Sequence, residues 1–134
     1  MSKEYTVFIS HSWDHNDTLN DLISLIDRRS HFHADYSHVS RDEPINSSNG
    51  AYIKSVLRKK ILASNIIIGL AGIFASHSDW MTWELDTAIE LGIPIIGVVP
   101  RGRINVSTMV SSRAIELVRW NTESIITSIR NHAL

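Results

Sequence analysis

Asn65-Ile66-Ile67-Ile68-Gly69-Leu70 runs apolar from residue 66 to residue 70, without the polar alternation of a strand that keeps one face in water. Such a strand is covered on both faces and belongs in the middle of a sheet flanked by helices. Upstream, Ile53, Val56, Leu57 and Ile61 recur at helical spacing, and Lys54, Arg58, Lys59 and Lys60 give that helix a basic outer face. Downstream, Ser78-Asp79-Trp80-Met81-Thr82-Trp83-Glu84-Leu85 opens a further helix that continues to Gly92, with an expected core stripe of Met81, Leu85, Ala88 and Ile89. Pro94-Ile95-Ile96-Gly97-Val98-Val99 repeats the buried-strand pattern and is closed by Pro100.

Outward from this centre the same alternation holds. Thr6-Val7-Phe8-Ile9-Ser10 reads as a buried strand, and Leu19, Leu22, Ile23 and Ile26 as the helix after it, capped by Asn16 or Asp17. Residues 31–36 alternate weakly, as an edge strand does, and residues 37–50, with Pro44 and Gly50, form a long polar loop. Residues 107–114 read as a short helix, 115–120 as a last strand, and 122–132 as a last helix with Ile125, Ile126 and Ile129 inward. Strands separated by helices pair in parallel through right-handed crossovers. The expected fold is α/β, a flavodoxin-like three-layer sandwich: a five-stranded parallel sheet of order 2-1-3-4-5 with helices on both faces, in a single domain over residues 1–134.

Composition bounds the function. In 134 residues, 13 Lys+Arg stand against 14 Asp+Glu, so no overall field recruits nucleic acid or an anionic membrane. The chain has no cysteine, which excludes disulfides, thiolate metal sites and a cysteine nucleophile, and accords with a cytoplasmic protein. No signal peptide and no apolar run long enough to span a bilayer is read in the sequence.

In open sheets of this order the ligand crevice lies beyond the carboxyl ends of strands 1 and 3. Ser10-His11-Ser12 leaves the first of these, and the connection after the third delivers Trp80 and Glu84 to the same place. Trp80 and Glu84 are four apart and share a helix face, with Glu84 expected half-buried on the flank of the core stripe. Amides at the helix start favour an ionised carboxylate there and burial disfavours it.

Tyr5-Thr6-Val7-Phe8-Ile9-Ser10-His11-Ser12, Arg41-Asp42-Glu43-Pro44-Ile45 and Trp80-Met81-Thr82-Trp83-Glu84-Leu85, in this order, resemble the TIR domain, closest to the compact prokaryotic branch of the Thoeris anti-phage systems. The resemblance spans nearly the whole chain. It implies an NAD-consuming enzyme that releases nicotinamide and either ADP-ribose or a cyclic ADP-ribose-type messenger, with NAD as substrate and no cofactor. It also implies a separate effector that senses the product, and a homo-oligomer. Glu84 matches the family's catalytic glutamate and Trp80 its W-x-x-x-E tryptophan; Ser10, His11 and Ser12 border the substrate pocket. Residues 37–50 correspond to the family's BB loop, in which Asp42 is a candidate substrate contact. Met81 stands where a cysteine is frequent in the family, at a core position that tolerates the exchange. The family also includes adaptors without activity, so a non-catalytic interaction module is the alternative.

The remaining signals are plainer. His31, His33 and His38 around Asp35 read as surface residues of an edge strand rather than metal ligands. Arg101-Gly102-Arg103 lies at the ligand edge, and Gly97 inside a strand marks close helix packing. A phosphoacceptor receiver, which shares the strand order, lacks support because the first strand carries no acidic cluster for magnesium.

Overall fold

Apolar runs and amphipathic segments fold in chain order as β1 (Glu4–Ser10), α1 (Asn16–Asp27), β2 (His33–Ser37), α2 (Gly50–Leu62), β3 (Ile66–Leu70), α3 (Asp79–Leu91), β4 (Ile95–Val98), α4 (Thr108–Ser111), β5 (Glu116–Val118) and α5 (Thr122–His132). The structure, a computed structural model, describes residues 4–11, 16–28, 33–37, 47–72, 78–100 and 106–134, with the backbone alone at residues 4, 16–19 and 33–37. The long loop expected over residues 37–50 therefore falls mostly outside the described residues, as do Ser12, Asp42, Arg101 and Arg103.

The strands form one sheet of order β2-β1-β3-β4-β5. Every pair is parallel, as helical crossovers require. β3 and β4 are buried at every position, which is why their sequences carry no polar alternation. On one face Val7, Ile9, Ile66, Ile68, Ile96 and Val118 pack with Leu22 and Ile26 of α1 and Ile125, Ile126 and Ile129 of α5. On the other, Phe8, Ile67 and Ile95 pack with Leu57 and Ile61 of α2, Met81, Leu85 and Ala88 of α3, and Val110 of α4. Each fully buried isoleucine or leucine contributes roughly 1.5–3 kcal/mol. The ion pair between Arg58 and Glu90, 3.1 Å apart, joins α2 to α3 at the surface. Arg58 donates to Glu90 and holds its carboxyl below the usual carboxylate range, yet in open water such a pair adds little. Apolar packing of helices on the sheet holds the layers together.

A row of register partners crosses the sheet on the α2/α3/α4 face: Ser10, Gly69, Gly97 and Leu117. The two glycines leave a trough. A Cβ on Gly69 would lie 3.1 Å from Val110 and 3.6 Å from Leu85, and one on Gly97 would lie 2.5 Å from Leu117 and 3.2 Å from Val110. The close packing expected at Gly97 is thus present, with α4 seated in the hollow.

Helix α3 differs from expectation in how it is rolled. Its buried positions are Trp80, Met81, Glu84, Leu85, Thr87 and Ala88, an arc of about 160° centred toward Glu84 and Ala88. Ile89, expected in the core stripe, is 53% exposed because it lies beyond the other edge of that arc. Ser78 caps the helix by accepting the Met81 amide at 3.2 Å, and Gly92 ends it in the left-handed region at φ 75°. β5 is shorter than the expected 115–120: residues 116–118 stand in register with β4, while Ile115 only donates its amide to the Ile95 carbonyl at 2.8 Å.

Replacing Gly97 by valine overfills the trough and lowers unfolding stability by about 1–3 kcal/mol in chemical denaturation. An unchanged midpoint would show that α4 has room to move.

Candidate active site

Ser10 is the last residue of β1, and its even-numbered position puts its side chain on the same face as Phe8, toward α3. Glu84 lies in the second turn of α3, on the face that the roll of the helix turns inward. The Ser10 hydroxyl donates to Glu84 Oε1 at 2.7 Å, joining positions 74 residues apart. Both residues are 0% exposed. Glu84 is therefore wholly buried rather than half-buried on a flank, because the inward arc is centred near it. A carboxylate out of water demands hydrogen-bond donors, and Ser10 supplies one.

The trough explains how they meet. Ser10 and Gly69 are register partners on adjacent strands, and Leu85 rests over Gly69 while Glu84 meets Ser10. Consecutive residues of α3 thus address consecutive strands of the sheet. A side chain at position 69 would sit where α3 and α4 now come down on the sheet. The signal for this was a glycine inside an otherwise isoleucine-rich strand, a position that sequence reasoning passed over in favour of Gly97.

Trp80, one turn before Glu84, is 8% exposed. Its ring meets that of Trp83 edge to face, with centroids 6.1 Å apart and planes at 87°. Such a pair is worth about 0.5–1.5 kcal/mol beyond its buried area and fixes the start of the helix. Trp83 as partner of Trp80 was not singled out from sequence. His11 follows Ser10 and is 1% exposed. The structure thus brings together Ser10 and Glu84, with His11 adjacent to the first in the chain and Trp80 one helical turn from the second. The connections leaving the carboxyl ends of β1, β2, β3 and β4 run through residues 12–15, 38–46, 73–77 and 101–105, outside the described residues. Elsewhere, a groove of about 460 Å³ opens between β5 and α5, lined by Glu116, Arg119, Thr127 and Asn131 among others, remote in the sheet order from Ser10.

A doubly wound α/β domain with a buried acid at the carboxyl end of its first strand defines the class. Residues 8–105 match the family described as Thoeris protein ThsB, TIR-like domain, and the chain belongs to that family. No curated protein matches the chain. Among solved structures it is similar to the 2-deoxyribosyltransferase of Bacillus psychrosaccharolyticus, with 15% identity, TM-score 0.58, and coverage of 89% of this chain and 90% of that one. It is also similar to the Clostridium botulinum CMP N-glycosidase BcmB, with 13% identity, TM-score 0.55, and coverage of 93% and 98%. The TIR domains of the activated Roq1 resistosome align at 22% identity and TM-score 0.47, over 71% of this chain and 57% of that one. At these identities the first two likenesses are ones of fold.

Among the described residues no helix is long and apolar enough to cross a membrane. Ser10→Ala strips a donor from a buried carboxylate and lowers stability by about 1–3 kcal/mol. A double-mutant cycle with Glu84→Gln, followed by urea unfolding, is expected to give a coupling of about 0.5–3 kcal/mol, and additivity would mean that the two side chains do not act together.

Proposed function

We propose that this TIR-like domain cleaves the nicotinamide–ribose bond of NAD and passes the ribosyl fragment on as ADP-ribose or as a cyclised messenger in anti-phage signalling. The reading is carried by one observation, the buried Glu84 carboxylate held by Ser10 at the carboxyl end of β1. Membership in the Thoeris TIR-like family supports it, since the sequence resemblance assigns the catalytic acid to this glutamate. The fold alone assigns no reaction. It does house other chemistry at N-glycosidic bonds, as the name of the Clostridium N-glycosidase indicates.

Nicotinamide in NAD is a cationic leaving group. The C1′–N bond breaks with its electron pair going to the ring nitrogen, which leaves neutral, and the ribosyl carbon takes on oxocarbenium character. A carboxylate facing the sugar steadies that charge and orients the ribose hydroxyls, and it does so most strongly where water is excluded. Glu84 has that role. Water then captures the cation to give ADP-ribose and a proton, or a nucleophile of the same nucleotide captures it to close a ring. Trp80 flanks the acid as an aromatic wall, while His11, Ser12 and Asp42 are the further candidates for contact with the nucleotide. Product sensing by a separate effector, self-association and a cytoplasmic setting complete the proposal.

Incubating the purified protein with NAD is expected to release nicotinamide, and Glu84→Gln to slow that release about a hundredfold or more while leaving the unfolding midpoint within a few degrees. Release at the wild-type rate by a folded Glu84→Gln protein would remove the glutamate from the chemistry.

A further inference from the structure

The hydroxyl of Ser10 lies at the edge where a nucleotide would bind, and its residue type suits a ribose or phosphate contact. Its geometry says otherwise. Its proton is committed to Glu84 Oε1 at 2.7 Å, which leaves it none to donate to a sugar or phosphate oxygen. We infer that Ser10 is a positioning residue: it fixes the orientation of the Glu84 carboxylate for reaction at the sugar and makes no contact with the nucleotide. This rests on the NAD-cleaving function proposed above.

Three features of the fold support the assignment. Ser10 belongs to the sheet rather than to a loop: it pairs with Gly69 in the register of β1 and β3, so its Cα is fixed by the most buried layer of the molecule. Glu84 is fixed independently, because α3 is capped at Ser78, closed at Gly92, and seated over the Gly69 trough by Leu85. The hydrogen bond therefore links two rigid elements, and a hydroxyl on a one-carbon stem transmits the position of the strand to the carboxylate with little freedom. A glutamate side chain has three rotatable torsions, and a donor at one of its oxygens selects among their rotamers. Held this way, the acid is preorganised toward developing positive charge and does not have to reorient as the bond breaks.

A contact residue and a positioning residue separate in steady-state kinetics. Loss of a nucleotide contact raises KM, whereas misalignment of the acid lowers kcat. For full-length protein cleaving NAD, Ser10→Ala is expected to lower kcat about tenfold to a hundredfold with KM within about threefold. Ser10→Thr, which keeps the hydroxyl, is expected to recover kcat to within about fivefold of wild type. Ser10→Cys puts a somewhat larger, weakly donating thiol in place of the hydroxyl, so it carries the comparison if Ser10→Ala does not fold. A kcat within twofold of wild type in folded Ser10→Ala, or a loss confined to KM, overturns the positioning role while leaving Glu84 in place. If Glu84→Gln cleaves NAD as fast as wild type, or wild type releases no nicotinamide, the underlying function fails and the positioning role falls with it.

Discussion

Taking the Glu84 side chain out of water is a costly arrangement, and α3 packs with this acid on its inward arc. An ion in a low-dielectric interior is tolerated only where donors meet it at the right distance. Ser10 meets it because three conditions hold together. β1 ends at that residue, its pleat turns the side chain toward α3, and the neighbouring strand has a glycine at the same level. Remove any one and the acid has to move, be protonated or break the helix–sheet contact. Natural domains keep such unfavourable groups chiefly where chemistry requires them, which is why the buried acid weighs more than the exposed charges of α2.

Much of the fold was legible in the order of residues. The five apolar positions from Ile66 to Leu70 marked a strand covered on both sides, and the spacing of Ile125, Ile126 and Ile129 placed α5 on the sheet. These signals survive because burial acts on every residue of an element at once. Ile89 was misplaced for the converse reason. A single helix presents several apolar arcs that overlap, and which one turns inward depends on what the sheet offers beneath it. Here the inward arc brings Glu84 to Ser10 and Leu85 over Gly69, and leaves Ile89 beyond its edge.

The candidate site was legible in part. Trp80 and Glu84 could be read from their four-residue spacing, and the carboxyl end of β1 from the polar turn after Ser10. That Ser10 and Glu84 bond to each other could not be read, since the contact depends on register between β1 and β3 and on the height of α3 above them. Both quantities are tertiary. Gly69 was the one available clue, and a glycine in a strand has several ordinary explanations.

The glycine trough also ties the interior of the molecule to its edge. Leu85 and Val110 occupy it from two different helices, so the spacing between the sheet and its upper layer is set by atoms that are absent rather than present. Adding one methyl group in the middle of the sheet would therefore act as a spacer, lifting the upper layer and drawing an acid away from its donor a residue further along. Variation in these central strands therefore reaches the Ser10–Glu84 pair at the rim without touching it, and a search for more robust versions of this domain has to leave that empty volume empty.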